Sequence, residues 1–311
     1  MRLSGRPVSP GRGEGLALVS GKPMSFLGGV DRDSGAVLDP ASDIRGEVVA
    51  GRVLAFPHGK GSTVGSYVVY GLAKRGHGPA AIVNERTEAI VATGAILGGI
   101  PFVDRIDVSI IASGDRVLVD GDTGTVDLPG VTERPVVTAF LRNKGRILIV
   151  LRGERVGTFR GTWSGISGYI EGDEPALRRA RQEVREETGI HNARLVARGP
   201  VIRTRLESTV FAIHPFLFDV ASRRVRLDWE NVEARWVRSE DLQGIPTVPR
   251  LQDVLASVLP TATRGGRGPG RPPARGGAAG ARRGSKGSRR TVGSRRASRP
   301  GRARPGRASG P

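Results

Sequence analysis

Four glutamates between residues 174 and 187 carry the densest chemistry in the sequence. Glu183 and Glu187 are four apart, Glu186 stands beside them, and Glu174 precedes them. On a helix, positions four apart share a face, so Glu183 and Glu187 lie together. Clustered carboxylates repel one another unless a cation sits among them, and hard oxygen ligands suit Mg²⁺ or Mn²⁺. A metal so held neutralises phosphate charge and lowers the pKa of an attacking water. A second stretch with chemical content is PHGKGSTVGS, Pro57 to Ser66. Its glycine-flanked Ser62 follows an apolar run and precedes a helical pattern. That arrangement offers free backbone N–H groups and a positive helix end to an anion, with Lys60 adding charge. It lacks the spacing of a Walker A loop.

The helix that must carry the glutamates is predicted from about Pro175 to Thr188. Asp173 and Glu174 lie at its positive end, Pro175 suits its first turn, and Gly189 ends it. Leu177, Ala180 and Val184 form an apolar stripe able to pack on a sheet. Around this helix the order reads strand, strand, helix, strand, strand, helix. Pro135–Arg142 and Gly145–Arg152 are alternating apolar strands joined by a hairpin turn at Asn143-Lys144-Gly145. Val210–Val220 and Ala234–Val237 are further strands. Leu251, Val254, Leu255 and Val258 fall at helical spacing in a closing helix. Upstream, Gly15–Ser20, Val53–Phe56, Ala80–Val83, Val108–Ile111 and Arg116–Val119 read as strands. Val64–Gly76 reads as a helix, and Asp120–Gly124 as a turn within a hairpin.

The positions Gly168, Glu174, Gln182, Glu183, Val184, Glu186, Glu187, Gly189 and Ile190 resemble the signature of the Nudix hydrolases. The resemblance implies an α/β/α sandwich and attack of water on a phosphorus atom of a diphosphate, such as a nucleoside diphosphate linked to another group. By position, Glu186 and Glu187 match metal ligands, Glu183 a ligand or general base, and Glu174 an outer carboxylate. The Ser167 carbonyl is a candidate backbone ligand. A further carboxylate from a distant loop is expected, with Glu230 and Glu233 as candidates. Arg152, Arg155 and Arg160, just before the box, are placed to hold the diphosphate. Gln182 departs from the pattern, standing where the family has an arginine that pairs with a glutamate of the box. It can hydrogen-bond that glutamate but cannot neutralise it, and Arg178, Arg181 or Arg185 are the candidate substitutes.

Most of residues 1–130 closely resemble the small subunit of the aconitase-X type phosphomevalonate dehydratases, through GGVD (28–31), GKGSTVGS (59–66), GPAAIV (78–83) and IPFVD (100–104). The resemblance implies an aconitase-like swivelling β/β/α domain with Ser62 as general base. A serine alkoxide needs strong stabilisation, for which Lys60 and the amides of Gly61 and Thr63 are candidates, at a site that also binds substrate. The implied reaction is dehydration of 5-phosphomevalonate to anhydromevalonate phosphate, in the mevalonate route of isoprenoid biosynthesis. A large subunit holding a [4Fe-4S] cluster is the implied heterodimer partner. The absence of cysteine here fits that division of labour.

Composition bounds the rest. The 311 residues accommodate two domains and a tail, read as 1–132, 133–260 and 261–311: an α/β two-domain chain with a swivelling domain, a Nudix sandwich and a basic extension. No apolar run approaches a bilayer span, and the N-terminus lacks a signal-peptide core, so a cytoplasmic location with no membrane partner is expected. The net charge of +19 is mostly local: residues 263–311 carry 15 Lys or Arg and no Asp or Glu, leaving +4 on the preceding residues. That extension has almost no large apolar residue and is expected to be disordered, with weak attachment to RNA or another polyanion as one reading. His214 reads as a core or edge histidine, and Phe159 and Trp163 as packing residues. The expected function is bifunctional, a dehydratase small subunit fused to a Mg²⁺-dependent hydrolase acting on small phosphorylated substrates. The competing reading is a non-catalytic assembly or nucleotide-binding protein, and the retained Glu183, Glu186 and Glu187 argue against it.

Overall fold

The computed structural model describes residues 1–260, which are built on two eight-stranded sheets. The basic extension from residue 261 lies outside the described residues, and with it the readings made of that segment.

The first sheet takes its strands from β1 (Arg2–Ser4), β2 (Arg6–Ser9), β3 (Arg12–Val19), and, after a short ribbon strand β4 (Met24–Ser25), from β5 (Val53–Phe56). The second ribbon strand is β6 (Gly59–Lys60), followed by helix α1 (Gly65–Lys74), β7 (Ala81–Asn84), α2 (Ala89–Gly98), β8 (Phe102–Asp104), β9 (Arg116–Asp120) and β10 (Thr125–Asp127). The spatial order is β1-β10-β9-β3-β5-β7-β8-β2. Strands β5, β7 and β8 run parallel and every residue in them is buried. Strands covered on both faces have no solvent side, which is why they read as unbroken apolar runs. Val53 and Ala55 face one core, and Leu54 and Phe56 face the other, where α1 and α2 pack.

The second sheet begins with β11 (Thr132–Asn143) and β12 (Arg146–Arg152), followed by β13 (Trp163–Ser164), β14 (Ile166–Tyr169), helix α3 (Ala176–Thr188), β15 (Arg194–Arg198), β16 (Ile202–Leu206), β17 (Thr209–Asp219), β18 (Asn231–Val237) and helix α4 (Leu251–Ala256). Its spine is the parallel pairing of β11 with β17, in register from Thr132↔Thr209 to Arg142↔Asp219. Side chains alternate across this sheet. Val137, Ala139, Leu141, Leu148 and Val150 pack under α3 with Ala180 and Val184, whereas Phe140, Ile147 and Ile149 pack with Leu251, Val254 and Leu255 of α4. A sheet with a helix on each face is the α/β/α layering that the Nudix resemblance implies. The hairpin turn is made by Lys144 and Gly145, both with positive φ (47° and 75°), as a tight two-residue connection demands.

Several elements depart from the sequence reading, among them the short strands β1, β2, β8, β13 and β14. Val108–Ile111 is not a strand. Asp107 accepts from the Ser109 amide at 3.1 Å and caps a single 3₁₀ turn over Val108–Ile110, with Val108, Ile110 and Ile111 all buried in one core. A local side-chain cap competes with a ladder in this way. Helix α2 escaped notice because its Ile, Val, Thr and Gly residues are modest helix formers. It is secured by packing: Gly94 lies so close to Val69 of α1 that an added Cβ would sit 2.6 Å from that side chain's own Cβ. Strands β15 and β16, which both pair with β17, also lie outside that reading.

Candidate active site

The two faces of α3 that matter arise from its start and stop. Pro175 precedes it in an extended conformation, and Gly189 closes it with φ 68°. Between them Ala180 and Val184 are buried under the sheet, and this rotation carries Glu183 and Glu187 to the helix–sheet boundary, 6% and 3% exposed. Glu187 Oε1 accepts the Ser167 amide at 3.1 Å, and its Oε2 accepts Asn231 Nδ2 at 2.6 Å. Glu183 forms an ion pair with Arg179, one turn earlier, and its carboxylate lies against the backbone of Gly168, where any added Cβ would overlap it. Glu186 is exposed and accepts a hydrogen bond from Gln182 Nε2 at 2.9 Å.

Burial, the largest cause, raises the Glu183 carboxyl to about 7, with Glu186 and Glu230 adding repulsion and Arg179 opposing. Burial, joined by repulsion from Glu183, pushes Glu187 well above the ordinary carboxylate range, against the hydrogen bonds from Asn231 and Ser167. Glu230 is raised by burial and by Asp228. All this charge borders a cleft of about 500 Å³ that Glu183, Glu186, Asp228 and Glu230 line together with Arg152 and Arg179. Its apolar walls include Phe159, Tyr169, Phe211 and Ile213, the mixture of apolar wall and few polar groups common to small-molecule sites. The exposed Trp229 stands at its edge.

Glu230 is therefore the distant-loop carboxylate that reaches the cleft, whereas Glu233 pairs with Arg235 at 2.7 Å on β18. Glu174 accepts the Glu171 amide at 3.1 Å in the loop before α3 and does not line the cleft. Of the three expected arginines only Arg152 lines it. Arg155 is exposed, and Arg160 donates to the Val156 carbonyl at 2.9 Å. The arginine facing the box is Arg179, not Arg178, Arg181 or Arg185, which fall on another side of α3 because they are one or two residues out of phase with Glu183. Arg179, Asn231 and Asp228 were the residues missed. Arg179 had a legible signal, its spacing of four from Glu183, while Asn231 and Asp228 are joined to the site only by tertiary folding. Trp163 packs in the core, Phe159 both packs and lines the cleft, and His214 is half-buried.

Among the described residues no three His, Cys, Asp or Glu side chains are gathered at ligating distance, since Glu183, Glu186 and Glu187 are engaged by Arg179, Gln182 and Asn231. The donor set nonetheless fits a hard cation. It is all oxygen, two of its carboxylates are buried side by side, and the buried Asn231 Oδ1 beside them has no hydrogen-bond partner among the described residues.

In the first sheet, Ser62 is exposed in the turn between β6 and α1. Its Oγ accepts the Val64 amide at 3.3 Å, so the amide in reach is Val64's and not that of Gly61 or Thr63. Lys60 pairs with Asp39 at 3.4 Å. Gly61 has φ 104° and passes close to Ser25, where a Cβ would lie 3.2 Å from the hydroxyl. The Thr63 carbonyl accepts from Ser66 Oγ at 2.8 Å.

Residues 2–128 match the family model of the aconitase X swivel domain, and residues 132–258 match that of the NUDIX domain. The phosphomevalonate dehydratase small subunit of Pyrococcus furiosus is 58% identical over 128 residues, which is 41% of this chain and 96% of the relative. The chain belongs to the aconitase X swivel-domain family. The crystal structure of Thermococcus kodakaraensis aconitase X in its holo form is 53% identical, covering 41% of this chain and 98% of that one, with a TM-score of 0.41. The MutT protein from Methanosarcina mazei is 27% identical over 42% of this chain and 94% of its own, with a TM-score of 0.37. The chain thus joins a swivel domain to a Nudix domain, with the Ser62 turn in the first and the carboxylate cleft in the second. No helix among the described residues is long and apolar enough to cross a membrane.

The buried carboxylates make the Nudix domain's stability pH-dependent. With its folded pKa raised above the unfolded value, Glu183 contributes stability that is present below about pH 4.5 and lost as pH rises through about 7. The melting temperature of the metal-free protein is expected to fall from about pH 5 to 8 more steeply than that of Glu183→Gln. Superimposable profiles for the two proteins would contradict the burial.

Proposed function

We propose that the chain has two activities, and that its Nudix domain hydrolyses a diphosphate ester with a divalent cation. The observation that carries this reading is the convergence of Glu183, Glu186 and Glu230 on one cleft with Arg152 and Arg179, with Glu187 buried beside Glu183. Glu183, Glu186 and Glu187, with Glu230, are the residues that would hold Mg²⁺ or Mn²⁺. When bound, the cation supplies charge neutralisation and an activated water. Arg152 and Arg179 offer guanidiniums to the phosphate oxygens. Glu183 is proposed either as one of these ligands or as the base that accepts a proton from the attacking water. Asn231 and the Ser167 amide hold Glu187 in place.

The swivel domain is proposed to act as the small subunit of a phosphomevalonate dehydratase, in a heterodimer whose large subunit holds the [4Fe-4S] cluster. The 58% identity across nearly the whole of a relative so named supports this. Ser62, exposed at the N-terminal side of α1, is the proposed base. Exposure is what a site completed by a second chain requires.

For hydrolysis, Glu186→Gln is expected to abolish Mg²⁺-dependent release of product from diphosphate substrates such as ADP-ribose without changing stability. Glu187→Gln is expected to abolish it and also to cost about 1–3 kcal/mol, because an amide nitrogen cannot accept from both Ser167 and Asn231. Hydrolysis by both variants at the wild-type rate would refute the assignment. For dehydration, a complex reconstituted with the iron–sulfur large subunit is expected to assemble with Ser62→Ala but to lose conversion of 5-phosphomevalonate. Unchanged turnover would remove Ser62 from the role of base.

A further inference from the structure

Helix α3 has three faces. At about 100° per residue, Glu183 and Glu186 point one way. Leu177, Ala180 and Val184 lie roughly 130° to one side of them, and Arg178, Arg181 and Arg185 roughly 130° to the other. The first face lines the catalytic cleft and the second packs on the sheet. The third borders a separate open groove of about 540 Å³, to which the end of β15 contributes Arg198 and the middle of β17 contributes His214 and Phe216.

The groove has no carboxylate in its lining. Elsewhere in this domain Arg142, Arg179, Arg194 and Arg203 are ion-paired. Among the described residues, Arg178, Arg181, Arg185 and Arg198 form no ion pair, and all four are exposed. Four like charges around one groove repel one another, and an anion bound there relieves the repulsion. Along α3 the three arginines span about 10 Å, which suits several phosphates in series better than one phosphoryl group. Arg198 lies over the Phe216 ring at 5.8 Å. Together the exposed guanidinium and the ring edge offer a cationic, partly apolar surface of the kind on which nucleobases stack.

We propose that this groove binds the backbone of a single-stranded nucleic acid, with Arg178, Arg181 and Arg185 on successive phosphates and Arg198 beneath a base. The sequence after residue 260, with its 15 Lys or Arg and no acid, adds a polycation to the same chain. Charge on that scale favours a polymeric anion over a small metabolite. Binding here is distinct from hydrolysis, because the groove and the carboxylate cleft occupy different sides of α3.

The test measures fluorescence anisotropy of the full chain with labelled 15-nucleotide single-stranded RNA and DNA of one sequence, across a salt series. Three proteins are compared: wild type, Arg185→Ala, and the triple variant Arg178→Ala/Arg181→Ala/Arg185→Ala. Contacts made by the C-terminal extension are common to all three. The slope of log affinity against log salt is expected to become shallower by about 0.7 for the single variant and about 2 for the triple variant. At about 150 mM salt the triple variant is expected to bind at least about tenfold more weakly to one or both nucleic acids. The stepwise change separates lost phosphate contacts from a folding defect, which would not scale with the number of arginines. Slopes and affinities equal to wild type for both nucleic acids would overturn the proposal. So would an equally large loss of affinity for a poly-glutamate peptide of matched length, which would make the groove a general anion patch.

Discussion

Two carboxylates buried side by side are the constraint on which the second half of this molecule depends. Removing Glu183 and Glu187 from water disfavours their charged forms, and their proximity adds to the cost. The surrounding residues compensate in part. Arg179 pairs with Glu183, while Ser167 and Asn231 donate to Glu187. Gly168 belongs to the same device, since only a residue without Cβ lets the Glu183 carboxylate lie against the strand. The glycine in the spaced signature is thus an imprint of a glutamate fifteen positions later in the chain. What the protein leaves uncompensated is negative charge facing a cleft, and this is the property that selects a cation.

The substitution at position 182 illustrates how such a network tolerates change. Gln182 reaches Glu186 on the exposed side of α3, where a neutral hydrogen bond suffices. The charge needed at the buried side comes from Arg179, which lies one turn before Glu183 and half-shielded in the cleft. Neutralisation therefore sits where desolvation makes it worth most.

Much of this was legible in the sequence because it rests on local periodicity. The stripe Leu177, Ala180, Val184, the helix ends at Pro175 and Gly189, and the Lys144-Gly145 hairpin each depend on residues within a few positions of one another. The site was legible only as far as that periodicity runs. Glu230 and Glu233 are indistinguishable in sequence; the strand geometry beyond Arg152 separates them, turning one toward the cleft and pairing the other with Arg235. Glu174 fits the signature but caps its own loop. Asn231 carries no local signal, because its partner Glu187 is 44 residues away. In the swivel domain, Asp107 overrode an apolar run that reads as strand, and α2 formed against its propensity by close packing on α1.

We propose that the Glu183–Glu187 pair is part of a cation site whose burial disfavours the charged carboxylates until the cation arrives. Calorimetric titration of the metal-free full chain with Mn²⁺ near neutral pH, repeated in two buffers of different ionisation enthalpy, tests it most directly. Binding is expected to release protons, because a ligating carboxylate must be deprotonated, and both binding and release are expected to be lost in the double variant Glu183→Gln/Glu187→Gln. Binding with no proton release, or binding that survives the double substitution unchanged, would contradict it.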